Sequence, residues 1–517
     1  MSIPAVRIIR GQGALGRPLP GQDYISGLIF YSDTLPSGFA VDPDNIKQVL
    51  SVAAAEALGI LNDYSDETQG KGTIQITAAG ATNDTITAYF LEPDGTTTTL
   101  GSYTVLPSDT ATLIATGLKN AINILTPTHG YSAISSTDTI TVTFREGLGI
   151  YPNTGTPLST VIVGTVTNTI VQSTVDGVAS LLSQWHYHIS EYFRLNPQGN
   201  LFVGFFPITA QTWNFAEIVS MQSFAKGIIR QLGIYLGNVD DFDSAADILT
   251  IADACQVQKL ALDAVHAPLS IIFAPEISGI ADLTTLSDLN VKDDFGVSVT
   301  IGQDGDAVGF GIFKATGKSI GDVGAQLGAE SIVAVNQDRG CLDYVNFTDG
   351  AELSVPCYAN GVRVDLINAG NLATQLNNYR YIFLMQNVGF EGAGTTINDN
   401  HTACSVSSDY AYSNDNRVFD KMSRLLYSRF VPILKSTIQL NENGTLQATT
   451  VAFYNTEISA ALNPMTTADP VTGNQEIAGE VPTIDPDQNV LATNKLVISV
   501  KATPQGVARN IEIGVSF

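Results

Sequence analysis

The 517-residue chain is poor in charge, and especially in positive charge. Asp, Glu, Lys and Arg make up only 15% of it, and 25 basic residues face 50 acidic ones, for a net charge of −25. That balance excludes a dedicated nucleic-acid binder, which needs cations clustered over a face. Cysteine is scarce: Cys255, Cys341, Cys357 and Cys404 form no C-x-x-C pair, and their spacing suits neither a disulfide framework nor a zinc site. They are expected to be reduced, buried small hydrophobes. No run approaches the roughly 20 apolar residues of a membrane span, so direct membrane insertion is not expected. The opening MSIPAVRIIRGQG lacks the long apolar region of a signal peptide, which points to synthesis and assembly in the cytoplasm. With 44% hydrophobic residues, disorder is excluded too.

The chain also lacks recognisable catalytic signatures: G-x-S-x-G, Walker A and H-E-x-x-H are all absent. The G-x-G-x-x-G match at Gly11, Gly13 and Gly16 runs into Pro18 and Pro20, so no helix N-terminus follows to hold a phosphate. His186 and His188 fall in a segment with helical apolar spacing, where they point about 200° apart and cannot share a metal. His129, His266 and His401 are isolated. Asp304-Gly305-Asp306 lacks the further ligands of a calcium loop. Asp240, Asp241 and Asp243, like Asn398, Asp399 and Asn400, read as solvated loops or helix caps. No catalytic, cofactor-binding or metal-ligating residue is assigned, and no cofactor is expected.

A chain of this length is too long for one core, and its patterning changes several times. Residues 1–22 read as an extended arm, with Val6 and Ile8 in a short strand before a run of glycines and prolines. Residues 23–71 hold a buried strand (24–31) and a helix (44–61), the first part of an α/β core. Residues 72–174 alternate like a half-buried sheet (strands at 73–77, 84–91, 97–105, 131–134 and 139–144), interrupted by one helix at 109–125. They read as a small β-rich domain inserted into the core. The core resumes over 175–360 with strands at 201–206, 228–236, 270–274, 296–302 and 308–311 and helices at 178–195, 216–227, 245–265 and 320–327. Residues 361–490 form an α+β C-terminal domain, with a helix at 417–430, a hairpin at 436–453 around Asn443-Gly444, a short helix at 457–462 and a long loop at 463–490. Residues 491–517 form a terminal arm with strands at 495–502 and 507–515. The expected fold class is therefore mixed α/β and β, multidomain, with strand-forming chain ends.

Two features bear on function. On the helix at 417–430, Arg417, Lys421, Arg424 and Ser428 lie at i, i+4, i+7 and i+11 on one face, opposite Val418, Met422, Leu425 and Leu426. Arg429 and Lys435 extend the basic character. The stripe reads either as an ordinary solvated face or as a positive patch toward an acidic partner. At the chain's end, Leu496, Ile498, Val500, Ile511, Ile513 and Val515 mark strands with nothing after them. A terminal strand must find an edge, within its own chain or in an identical subunit.

The chain resembles the tail sheath proteins of contractile, Mu-like bacteriophages and related contractile injection systems. The resemblance rests on DNRVFDKMSRLLYSRFVPIL (residues 415–434) followed by a hairpin and YNTEISAALNPM (454–465). It rests also on the inserted region with TATLIATGLKNAIN (110–123) and DTITVTFREG (138–147), and on the chain ends, including KLVISVKATPQGVARNIEIGVSF. It implies a virion structural protein without an active site, polymerising as stacked hexameric rings around a tail tube and contracting to drive the tube through an envelope. The implied partners are further copies of the chain, the tube protein, and baseplate and tail terminator proteins. The basic helix (Arg417, Lys421, Arg424) would face the tube, and the arms (Val6, Ile8, Leu496, Ile498, Val500, Ile511, Ile513, Val515) would add strands to neighbouring subunits. The alternatives are another virion or baseplate structural protein, or a cytosolic enzyme with an unrecognised site.

Overall fold

The computed structural model describes residues 23–209, 211–348, 352–368, 371–389, 394–469, 472–509 and 511–514; Val6, Ile8 and Val515 lie outside them. The first described strand, β1 (Ile25–Tyr31), has all seven residues buried, as expected for a central parallel strand covered on both faces. Next come β2 (Ile46–Val49) and α1 (Val52–Ala57), whose N-cap Ser51 accepts from the Ala54 N–H. A single helix was expected over 44–61. The Ile-Lys-Gln-Val alternation instead pairs β2 antiparallel with a core strand, and Ser51 starts the helix late.

The region after α1 forms two antiparallel sheets around one helix. Its elements are β3 (Lys71–Ala78), β4 (Thr85–Leu91), β5 (Thr97–Thr104), α2 (Ala111–His129), β6 (Ser132–Ser136), β7 (Thr139–Thr143), β8 (Leu158–Val163) and β9 (Thr167–Val175). The sheet orders are β6-β7-β3-β9 and β5-β4-β8. Ile114, Leu118 and Ile122, at i, i+4 and i+8 of α2, pack with Ile74, Ile86, Phe90, Ile140 and Phe144 in a core of its own. Thr110 caps the start of α2, and Gly130 ends it at φ 80°, the left-handed geometry that favours glycine.

The chain then returns to the central sheet through α3 (Leu181–Leu195), β10 (Asn200–Phe206), α4 (Glu217–Phe224), β11 (Gln231–Tyr235), α5 (Asp247–Ala264) and β12 (Ser270–Ala274). After β13 (Asp293–Asp294) comes the last core strand, β14 (Val297–Val299), and the sheet order is β14-β12-β11-β1-β10-β2. All neighbours are parallel except the edge pair β10–β2. Alternate residues of β1 serve opposite faces: Ile25, Ile29 and Tyr31 pack with Ile218, Met221 and Ile251 of α4 and α5. Leu28 and Phe30 pack with Trp185 and Ile189 of α3.

Beyond the sheet lie β15 (Gly302–Asp304), α6 (Val308–Thr316) and α7 (Val323–Ile332). A strand was expected at 308–311. Asp304 instead accepts from the Ala307 and Phe310 N–H groups and starts a helix, so the Asp304-Gly305-Asp306 stretch is a capping turn. α7 crosses α3 so closely that a Cβ at Gly324 would sit 2.1 Å from the His188 carbonyl oxygen. Short pairs follow: β15 with β16 (Pro356–Tyr358), β17 (Leu384–Met385) with β18 (Thr396–Ile397), and β13 with β19 (Ala403–Cys404); α8 (Leu372–Asn378) precedes β17.

The C-terminal part comprises α9 (Ser413–Phe430), α10 (Ala448–Thr466), β20 (Ile477–Thr483), the one-turn α11 (Val490–Thr493) and β21 (Ser499–Pro504). The Asn443-Gly444 turn is present, with Gly444 at φ 84° and a single Leu440–Leu446 bridge. The second hairpin strand and the short helix expected after it are instead one helix, α10. Tyr454, Ile458, Ala461, Leu462 and Met465 repeat at helical spacing and are buried, and that packing overrides the strand preference of Thr450, Val451 and Phe453. Within the expected long loop lies β20, paired antiparallel with β21. The described residues of 507–515, expected as a strand, carry no regular structure.

Candidate functional site

α9 places Asp415 in its first turn and Arg429 in its last, each favourable to the helix dipole. Its basic stripe was expected on the surface, facing a partner. The structure places it inside: Arg417 is 4% and Lys421 7% exposed, and the Arg424 side chain 14%. The physical reason is supply of partners. In a chain with twice as many acids as bases, an amphipathic basic face finds carboxylates within its own fold.

Three carboxylates from separate parts of the chain meet the stripe. Lys421 Nζ lies 2.8 Å from Asp23 Oδ2, just before β1, and 2.6 Å from Glu476 Oε1, just before β20. Arg424 Nη2 reaches Asp23 Oδ1 at 3.0 Å. Arg417 Nε is 3.3 Å from Glu330 Oε1 on α7, and its Nη2 donates to the Glu330 and Val333 carbonyl oxygens. Glu330 also pairs with Arg339 and accepts from Ser413 Oγ. On the same helix, Asp420 receives Lys259 of α5 at 2.9 Å. α9 therefore ties the start of β1, the helices α5 and α7 and the foot of β20 into one charged junction.

The electrostatics follow from burial set against charge. Burial works to raise the Asp23 carboxyl, but the Lys421 and Arg424 cations outweigh it and hold the group below its usual range. Glu330 is likewise lowered: burial opposes ionisation, and Arg339 and Arg417 prevail. Glu476 goes the other way, burial raising it despite Lys421. α9 shows two aromatic rings to solvent beside Ser428 and Arg429: Phe419 and Tyr427 are each 44% exposed, and Tyr427 stacks on His266 with ring centroids 4.0 Å apart. Arg429, which extended the stripe, pairs with Glu457 at 2.5 Å.

At the chain end, Leu496, Ile498 and Val500 are half-buried against α9 and α10. In the described residues β20 and β21 pair only with each other, so each leaves one edge unpaired. β20 contains Pro482 and β21 ends at Pro504; proline has no N–H to donate to a ladder, so each strand carries one position that limits edge pairing. Ile511 and Ile513 are 78% and 81% exposed.

The histidines hold no shared site. His186 Nε2 is 3.1 Å from Glu56 Oε1, while His188 is fully buried, and burial pushes it down to about 3. Cys255, Cys357 and Cys404 are buried and Cys341 is half-buried; all four are free. Among the described residues no group of three or more His, Cys, Asp or Glu could hold a metal, and no helix is long and apolar enough to cross a membrane.

Sequence reasoning found the α9 stripe but not its direction. It missed Asp23, Glu330, Glu476 and Arg339, which carry no local motif and meet α9 only through the fold.

Residues 409–517 match the family model described as "DUF2586, C-terminal domain". Among solved structures, the chain is similar to a chain of "Cryo-EM structure of the anti-feeding prophage (AFP) baseplate, 6-fold symmetrised", with 12% sequence identity and a TM-score of 0.38. The alignment covers 64% of this chain and 80% of that one. No curated protein matches the chain.

Proposed function

We propose that this chain is a structural subunit of a contractile tail sheath, polymerising as stacked hexameric rings around a tube through strand addition between subunits. The observation that carries the reading is the β20–β21 ribbon. One face of it packs on α9 and α10 through Ile477, Val500 and Ala502. Its edges are unpaired in the described residues, and the following segment presents Ile511 and Ile513 to solvent. An isolated two-stranded ribbon is marginal in water; a third strand from a second copy would complete it by backbone hydrogen bonds.

The α9 junction supports the same reading from the mechanical side. A subunit that moves as a rigid body while its arms stay engaged needs its arm-bearing part locked to its core. The Asp23–Lys421–Glu476 bridge locks it where β1 begins and where β20 begins. Under this proposal the α9 cations serve the junction, and tube contact falls to other surfaces.

The test is a pair of substitutions that leave the fold intact. Ile511→Asp with Ile513→Asp alters two side chains that are already in water. Sedimentation velocity is expected to show large polymers for the intact chain and small species for the double variant, with unchanged circular dichroism. Equal sedimentation of the two would overturn strand addition through this segment.

A further inference from the structure

Among the described residues of 505–514, Arg509 is the one side chain that grips the rest of the molecule with several contacts at once. Its Nε lies 3.0 Å from Asp399 Oδ1, and its Nη2 lies 3.3 Å from Asp338 Oδ2 and 3.2 Å from Asn414 Oδ1. Its guanidinium carbon sits 3.4 Å from the Tyr412 ring centroid, and Arg380 covers the same ring at 4.8 Å. The guanidinium thus has two carboxylates, an amide oxygen and an aromatic face, the set of partners that suits its planar fork. Asp338 is held in turn by the Gly340 N–H, and Asp399 by the Asn400 N–H.

The grip around this arginine is otherwise loose. Residues 505–509 do not pack flat on the core: with Asn336, Tyr344 and Asn474 they line a cavity of about 620 Å³. Past them Ile511 and Ile513 project into water. Apolar burial therefore does little to hold the segment, and one polar anchor does most.

We infer that Asp338, Asp399, Asn414 and Tyr412 form an arginine socket, and that Arg509 seated in it is a releasable latch parking the C-terminal segment on its own chain. Loss of the latch frees the segment as a unit, because no second anchor of this kind follows it in the described residues. That the freed segment then engages a second copy rests on the assembly reading above; the latch itself does not.

Trypsin distinguishes the two, because the bond after Arg509 is a cleavage site only while its side chain is free. Cleavage after residue 509 is followed by mass spectrometry on protein kept dilute, so that subunits stay apart. The intact chain is expected to be protected at low salt. Asp399→Asn, which leaves Arg509 in place, and Arg509→Lys, which keeps the site cleavable but loses the fork, are each expected to raise the rate about tenfold or more. Near-ultraviolet circular dichroism checks that both variants fold, and hydrogen exchange at residues 505–514 gives an independent readout. Rates and exchange equal to those of the intact chain in both variants would overturn the latch, whatever the outcome of the assembly test.

Discussion

Replacing Lys421 by methionine separates a buried junction from a solvated basic face. The Lys421 ammonium stands between Asp23 at 2.8 Å and Glu476 at 2.6 Å, whose side chains are only 20% and 14% exposed. Removing it leaves two carboxylates facing each other, with Arg424 reaching Asp23 alone. Breaking a buried ion pair costs about 3–5 kcal/mol, against at most about 1 kcal/mol for an exposed pair. The residual exposure puts the expected loss near the lower end, about 3 kcal/mol. Adding Glu476→Gln removes one stranded charge and is expected to recover about 1–2 kcal/mol of it, a coupling of the size neighbouring residues show. The assay is urea unfolding with hydrogen exchange at α9 and β20, which isolates the junction from the rest of a multidomain chain. The pH dependence gives an internal control. Because the folded Asp23 and Glu330 carboxyls are lowered, their contribution is complete at neutral pH and disappears as the pH falls below about 4. A loss under about 1 kcal/mol at pH 7 for Lys421→Met would refute the buried-junction reasoning and return the stripe to the surface.

Two further outcomes follow from the core. Gly324→Ala forces a Cβ to within 2.1 Å of the His188 carbonyl oxygen, a backbone atom that cannot turn aside, so a loss of about 3 kcal/mol is expected; thermal melting checks it, and a neutral effect would show that α3 and α7 can slide apart. Glu352 is raised to about 7 by burial, then by Glu191 and Asp304. A carboxyl with a raised folded pKa weakens the fold as pH climbs from about 4.5 through 7, so Glu352→Gln is expected to melt higher than the intact chain at pH 8 and alike at pH 5. Parallel melting curves at both pH values would contradict that assignment.

Much of the fold was legible because its elements announce themselves by period. The continuous apolar run that became β1, the alternation around Ile74 and Ile86, and the i, i+4, i+8 repeat of Ile114, Leu118 and Ile122 each need only local residues. What failed needed information from elsewhere in the chain. β2 exists because β10 offers an edge, and α10 because Tyr454, Ile458 and Leu462 find α9 and β20 to pack on. The candidate site shows the same division. Helical spacing put Arg417, Lys421 and Arg424 on one face, but which way that face turned depended on Asp23, some 400 residues earlier, and on Glu330 and Glu476. Amphipathicity identifies a polar face; it does not distinguish water from a set of buried carboxylates. The terminal strands divide likewise. Val500 pairs with Pro482 and Ile498 packs against α9 and α10 within the chain, whereas Ile511 and Ile513 lie exposed and unpaired in the described residues.

The most direct test of the central proposal is negative-stain electron microscopy of the purified chain over a range of concentrations. Hollow tubes of regular repeat, abolished by Ile511→Asp with Ile513→Asp, are the expected result. Particles that stay monomeric at every concentration, alone and when co-expressed with a candidate tube protein, would contradict it.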